Sequence, residues 1–364
     1  MEPATHFLFG ACLSRAGFNR KTALATTTMV LAAEAADLDI VAYFKGPIFG
    51  FAHHRGITHT FVGAPFVAAA VVGAMYLGHR IRNRKRPEAP TISGMGPMDS
   101  AAPPEEGPHM VPHWGILYAG ALLAAFSHIL LDYTNAYGVR PFEPFSYRWY
   151  SWDIVSIVEP ALYFFFFCGL VLPWLFRMIN EEIGSKRRGP RGRAGAIFAL
   201  IGICCVWGVR DFEHRRALDV MDGRLYQGDE AVRVSAYPYE VNPFKWYGVA
   251  ETETFFARVE VDSLAADIDP HSRERIRYKP QETEASLAGK KSYFGRVYLD
   301  WAVYPVTEVE HLDRPGGGWL VRIFDLRYQY PEREGADRIL GGGVEMDEKF
   351  EVIDEWFGRR LPQR

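Results

Sequence analysis

From about residue 1 to residue 210 the chain is a series of long apolar runs joined by short charged connectors. Hydrocarbon offers no water to satisfy backbone N–H and C=O groups, so such runs have to be helical. After about residue 211 the chain is rich in Arg, Asp, Glu, Tyr and Phe, and no run there is long enough to cross a bilayer. The expected fold is an α-helical integral membrane domain of about five or six helices over residues 1–210. A β-rich soluble domain over residues 211–364 follows it. The formal net charge of −3 averages two unlike halves, and no strongly basic face points to nucleic acid. All four cysteines (Cys12, Cys168, Cys204, Cys205) fall in apolar segments, which excludes a disulfide framework and a Cys-based zinc site.

Along the chain, Ala4 to Phe18 has a helical pattern too short to span comfortably, and it lacks the basic start and cleavage site of a signal peptide. Further helices are expected over Thr22 to Ile40, Thr58 to Leu77 with Thr58 as N-cap, Trp114 to Leu131, Ile154 to Met178, and Ala194 to Val209. Residues 87–112, full of Pro, Gly and Ser, read as a connector, and the aromatic stretch 132–155 as an interfacial belt. Strands are expected over Val232–Val241, Glu251–Val261, Tyr293–Tyr304 and Trp319–Tyr330. Turns are expected at Asp222-Gly223, Asn242-Pro243 and Arg314–Gly318. His214, His271 and His311 stand far apart and read as ordinary surface histidines.

The basic clusters Arg80–Arg86 and Lys186–Arg193 set the topology, because Lys and Arg concentrate in cytoplasmic loops. The C-terminal domain is then extracytoplasmic. The same reasoning maps Asp37, Asp39, His54, His59, His128, Asp132 and Glu159 to the outer ends of their helices, and His6 with them if the first helix runs inward. Polar groups at that depth are costly unless something engages them. His128 and Asp132, spaced i, i+4, share a helix face, and Gly56 lets the chain turn between His54 and His59. Asp37 and Asp39 share a side only where the chain is extended or turning. Together these residues form a mixed His/carboxylate set suited to zinc, or to manganese or iron where more oxygens contribute.

Four motifs carry a resemblance. Thr5-His6 opens the first helix, and Ala36-Asp37-Leu38-Asp39 stands where Pro-Asp-Ile-Asp is usual. His54-Arg55-Gly56-Ile57-Thr58-His59-Thr60 matches HRGxTHS. Ser127-His128-Ile129-Leu130-Leu131-Asp132, followed by Gly138 and Pro144-Phe145, matches SHxLxD with its downstream Gly and Pro. In these motifs residues 1–160 resemble the YdjM-type family of bacterial inner-membrane proteins, described as membrane-bound metal-dependent hydrolases. Ile40 departs from the pattern, at a position often held by His. The resemblance implies a divalent metal, preferably zinc, held by His6, Asp39, His59, His128 and Asp132. It implies Asp37, or else Glu159, as the group that orients water or acts as base, and His54 and Arg55 as substrate-binding residues. A site at the outer membrane edge favours an amphipathic substrate such as a phospholipid or another lipid-linked ester. The alternative is a non-enzymatic membrane scaffold or sensor whose C-terminal domain binds an extracytoplasmic partner. A transporter fits less well, since transport sites lie near the midplane.

Overall fold

The structure is a computed structural model, and it describes residues 1–84, 110–182, 192–268, 275–313, 315–329 and 340–359. The connector 87–109, the cluster Lys186–Arg191, His271 and Arg314 lie outside the described residues. The N-terminal part is helical: α1 (Pro3–Ala16), α2 (Ala25–Glu34), a 3-10 segment (Ala35–Lys45), α3 (Pro47–His53), a 3-10 turn (Ile57–His59), α4 (Gly63–Arg84) and α5 (Trp114–Tyr133). Then come α6 (Pro160–Phe166), a π-helical turn (Phe167–Val171), α7 (Leu172–Glu182) and α8 (Arg193–Asp222).

Among the described residues three helices, α4, α5 and α8, are long and apolar enough to cross a membrane, fewer than the count expected. The reasons are local. The helix expected over Thr22–Ile40 starts only after Leu24, whose φ is 66°, and tightens into 3-10 geometry after Glu34. The span expected from Ile154 begins at Pro160, whose ring suits the first helical position. Thr60, rather than Thr58, caps α4, its hydroxyl accepting from the Gly63 N–H at 2.8 Å. The helix expected to end at Val209 runs on to Asp222, so residue 210 falls inside it.

Small residues let these helices approach closely. A Cβ on Gly10 of α1 would lie 2.9 Å from Ala33 Cβ of α2, and one on Gly169 would lie 2.5 Å from the Gly195 carbonyl of α8. Phe9, Cys12, Val30, Leu131, Leu162 and Ile203 fill the space between α1, α2, α5, α6 and α8.

Two antiparallel sheets form the C-terminal part. The strands are β1 (Leu225–Tyr226), β2 (Asp229–Glu230), β3 (Arg233–Pro238), β4 (Lys245–Glu251), β5 (Phe255–Asp262), β6 (Asp267–Ile268) and β7 (Arg275–Tyr278). Helices α9 (Glu284–Lys291) and α10 (Tyr293–Trp301) precede β8 (Pro305–His311), β9 (Trp319–Asp325), β10 (Gly341–Met346) and β11 (Val352–Phe357). The sheet orders are β3-β4-β5-β6, with β7 also on β5, and β11-β10-β9-β8; β1 and β2 pair separately. The strand expected over Tyr293–Tyr304 is mostly helix α10. Ser292 caps it, and Phe294, Tyr298 and Trp301 bury one helical face that a count of aromatics mistakes for a strand.

The two parts are packed together. Ile48 and Phe51 of α3, with Tyr137 from the loop after α5, enter the core formed by α9, α10 and the second sheet. Buried Arg327 pairs with Asp325 at 3.0 Å and donates to the carbonyls of Ala136 and Trp301. Its loss leaves Asp325 buried and unpaired, so Arg327→Ala should cost about 3–5 kcal/mol, read as a lowered Tm of the purified chain. Burial pushes the Asp153 carboxyl up to about 6, with Ser151 and Arg327 opposing and Asp325 adding to the rise. The folded state therefore takes up a proton that the unfolded chain releases near pH 4, so this group adds stability as pH falls through about 6 and least above it. Asp153→Asn should flatten that part of a Tm-against-pH profile.

Candidate metal centre

The polar residues converge at one end of the bundle because the helices alternate in direction. His6 lies in the first turn of α1, Asp37 just beyond the end of α2, His59 just before α4, and His128 and Asp132 in the last turns of α5. One ligand atom from each of Asp37, His59, His128 and Asp132 lies within 4.8 Å of the others, and all but Asp37 are buried. The Nε2 atoms of His59 and His128 are 3.0 Å apart. Asp37 Oδ1 is 3.3 Å from the first and 3.6 Å from the second. Asp132 Oδ2 is 3.5 Å and 3.4 Å from them. An ion with four ligands at about 2.0–2.2 Å has tetrahedral edges of roughly 3.3–3.6 Å, so four of the six edges already fall in that range, and the His59–His128 edge at 3.0 Å is shorter.

The outer contacts orient the two imidazoles. His128 Nδ1 donates to the Ala33 carbonyl at 2.6 Å, which leaves the lone pair of the neutral ring on Nε2. His59 Nδ1 lies 3.3 Å from Asp39 Oδ2 and 3.1 Å from the Thr58 hydroxyl. Where Asp39 takes the Nδ1 proton of His59, two lone pairs face each other at 3.0 Å and repel unless a cation lies between them. Asp132 Oδ2 and both ring nitrogens of His6 are buried without a hydrogen bond among the described residues, each at a cost of about 1–3 kcal/mol or more. His6 stacks on His128 with centroids 3.8 Å apart, its Nε2 3.4 Å from Asp132 Oδ1. Asp37, Asp39 and Asp132 bring three carboxylates, against the Arg55 guanidinium and the Met1 amino group, which both contact Asp132 Oδ1. The donor set and its charge fit a divalent cation.

Asp39 stands behind His59 rather than beside the gap. In 3-10 geometry residues two apart point about 120° apart, so Asp37 faces forward while Asp39 takes His54 Nδ1 at 3.1 Å and the Arg55 N–H at 2.7 Å. Arg55 has a left-handed φ of 55°, which sends its backbone to Asp39 and its side chain to Asp132. Its guanidinium is buried, bonding Asp132 Oδ1 at 2.9 Å and the Gly138 carbonyl at 2.8 Å, and lies 4.6 Å from the Tyr137 ring centroid. Glu159 is taken up by Arg210 of α8, at 3.0 and 3.1 Å.

Residues 1–216 match the family profile described as YdjM inner membrane protein. The chain belongs to the YdjM inner membrane protein family. The YdjM match includes every residue of the polar cluster, the membrane-crossing helices α4 and α5, and α8 as far as residue 216, which makes this a membrane protein. The chain is also 23% identical, over 171 residues, to the uncharacterized protein YfhP of Bacillus subtilis (strain 168). That match takes in 45% of this chain and 43% of YfhP, so the chain spans less than half of that relative's length. No solved structure matches.

Sequence reasoning did not find the Ala33 carbonyl or Tyr137. A carbonyl has no side-chain signature, and Tyr137 is one aromatic among many in its loop. If the cluster holds zinc, protein purified without chelator carries the metal, and His128→Ala/Asp132→Ala loses it, by elemental mass spectrometry. His6→Ala should retain most of the metal with weakened affinity.

Proposed function

We propose that the chain is a membrane-bound metal-dependent hydrolase acting at the membrane–water interface on an amphipathic, ester-bearing substrate. The observation that supports this best is the pair of Nε2 atoms facing each other at 3.0 Å beside the unpartnered Asp132 Oδ2. On this reading His59, His128 and Asp132 hold the ion, with His6 within reach, and zinc fits the two imidazoles, manganese or iron serving where further oxygens join. Asp39 holds His59 in the required tautomer, the part that outer carboxylates play at histidine metal sites. The cation when bound supplies Lewis acidity, which makes hydroxide available from water near neutral pH.

Asp37 is the cluster's accessible member, its side chain 23% exposed while the other three are almost wholly buried. A catalytic zinc site keeps one position open, and Asp37 marks that side. Asp37 orients a water there and takes its proton. The water oxygen bonds to the carbonyl carbon or phosphorus, the ester C–O or P–O bond breaks, and the proton passes to the leaving oxygen. Of the residues expected to bind substrate, His54 stays at the edge of the site, whereas Arg55 is held by Asp132 and Gly138 and acts through Asp132. Glu159, locked to Arg210, positions the start of α6 rather than a water. On the same proposal the chain crosses the bacterial inner membrane more than once, with the C-terminal domain extracytoplasmic.

Asp37→Asn should retain the metal while ester hydrolysis falls about 10²-fold or more. Loss of metal together with activity would move Asp37 into the ligand set. Metal-loaded wild-type protein that hydrolyses no ester would favour the scaffold reading, in which the C-terminal domain binds a partner.

A further inference from the structure

The 3-10 segment 35–45 is built inside out. With three residues per turn, Ala36, Asp39 and Ala42 form one stripe, and Leu38, Val41 and Phe44 another. The first is buried or half-buried and carries the carboxylate that holds His59 and His54. The second is 66%, 58% and 93% exposed, with Ile40 beside it at 64%. A helix in water hides its apolar stripe and shows its acids; one against lipid does the reverse.

The segment is held firmly in this pose. The Tyr43 ring lies where a Cβ on Gly50 would sit, 2.3 Å from its Cγ, and meets His54 edge-on. Lys45 lies over the Phe49 ring at 5.0 Å, a cation at the end of the segment as at a headgroup boundary. Phe61 and Val62 just before the membrane-crossing helix α4, and Phe66 in its first turn, are exposed as well, and α4 packs against this segment. Asp37, the accessible member of the metal cluster, is the first acid of this same segment.

We propose that segment 35–45 lies in the bilayer's headgroup–acyl boundary and opens the Asp37 side of the cluster to lipid, so that the substrate is a membrane lipid with an ester-bearing headgroup. The inference deepens the hydrolase reading and rests on it for the reaction, though not for the placement. A soluble ester has no need of an apolar stripe beside the base. A lipid has, because its chains stay in hydrocarbon while the ester sits at the depth of Asp37.

The test uses the full chain in nanodiscs of phosphatidylethanolamine and phosphatidylglycerol. A benzophenone photo-crosslinker replaces Phe44, and in a control Glu348, exposed in the turn between β10 and β11. A lipid adduct by mass spectrometry is expected at 44 and not at 348. No lipid adduct at 44, or an adduct to a second copy of the chain, would overturn the placement. In a second arm, Val41→Asp/Phe44→Asp should keep its zinc and lose about tenfold or more of lipid-ester hydrolysis, while p-nitrophenyl butyrate or phosphate is turned over as before. Equal loss on both substrates, or on neither, would overturn the substrate class. Wild-type protein that holds zinc yet hydrolyses nothing would refute the hydrolase reading and the substrate class with it, and the crosslink at 44 would still decide the placement.

Discussion

Polar atoms buried without partners set the terms for this chain. Asp132, on the last turn of a membrane-crossing helix, has one oxygen saturated by Arg55 and the Met1 amino group and the other aimed at two histidines, without a hydrogen bond among the described residues. Such a carboxylate is tolerable only where positive charge offsets its lost hydration. Each neighbouring element serves that need. The turn at Arg55 is left-handed because its backbone and side chain answer to different carboxylates, a conformation that costs about 1–3 kcal/mol and persists where the surroundings hold it in place. The Ala33 carbonyl at the end of α2 takes the His128 N–H, so packing of α2 against α5 also decides which imidazole nitrogen faces the gap.

Much of this was legible in the sequence, in an uneven way. His128 and Asp132 share a helix, and i, i+4 spacing on a regular helix fixes their relation in advance. His59 and Arg55 lie in a short polar run that cannot sit in hydrocarbon unattended, so their importance was visible although their partners were not. The relation of Asp37 to Asp39 was not legible, because two residues apart means one side in an extended chain and divergent sides in a 3-10 turn. Nothing local in Ala35–Lys45 decides between these; contact with His54 and with Gly50 does. The Glu159–Arg210 pair joins residues 51 apart and needs the packing of α6 on α8 to become apparent. In the C-terminal part, α10 was hidden because Phe294, Tyr298 and Trp301 suit strand and helix alike by composition, and their placement follows from the sheet they cover.

The C-terminal domain is more than an appendage to the helices. Its core takes in Phe51, four residues before Arg55, and Tyr137, five residues after Asp132. The Trp301 indole donates to the Tyr137 carbonyl at 3.0 Å, and Arg327 binds the carbonyl of Ala136. Arg210 links the Glu159 carboxylate to carbonyls of Tyr239 and Asn242, in the turn between β3 and β4. Three separate attachments therefore hold the polar end of the bundle to the sheets, each through a buried or half-buried cation or indole.

This arrangement is asymmetric. The sheets and α10 cover α3 and the loop after α5, whereas the outward stripe of segment 35–45 has no part of the chain over it among the described residues. Asp37 is the accessible member of the cluster, and on the proposed placement its side faces the rim formed by Leu38, Val41 and Phe44. A rigid cover on one flank and an apolar rim on the other would direct an amphipathic molecule to approach with its chains along that rim. Its headgroup would then meet Asp37 first, before the buried imidazoles, which is the order that a general base at the mouth of a metal site requires.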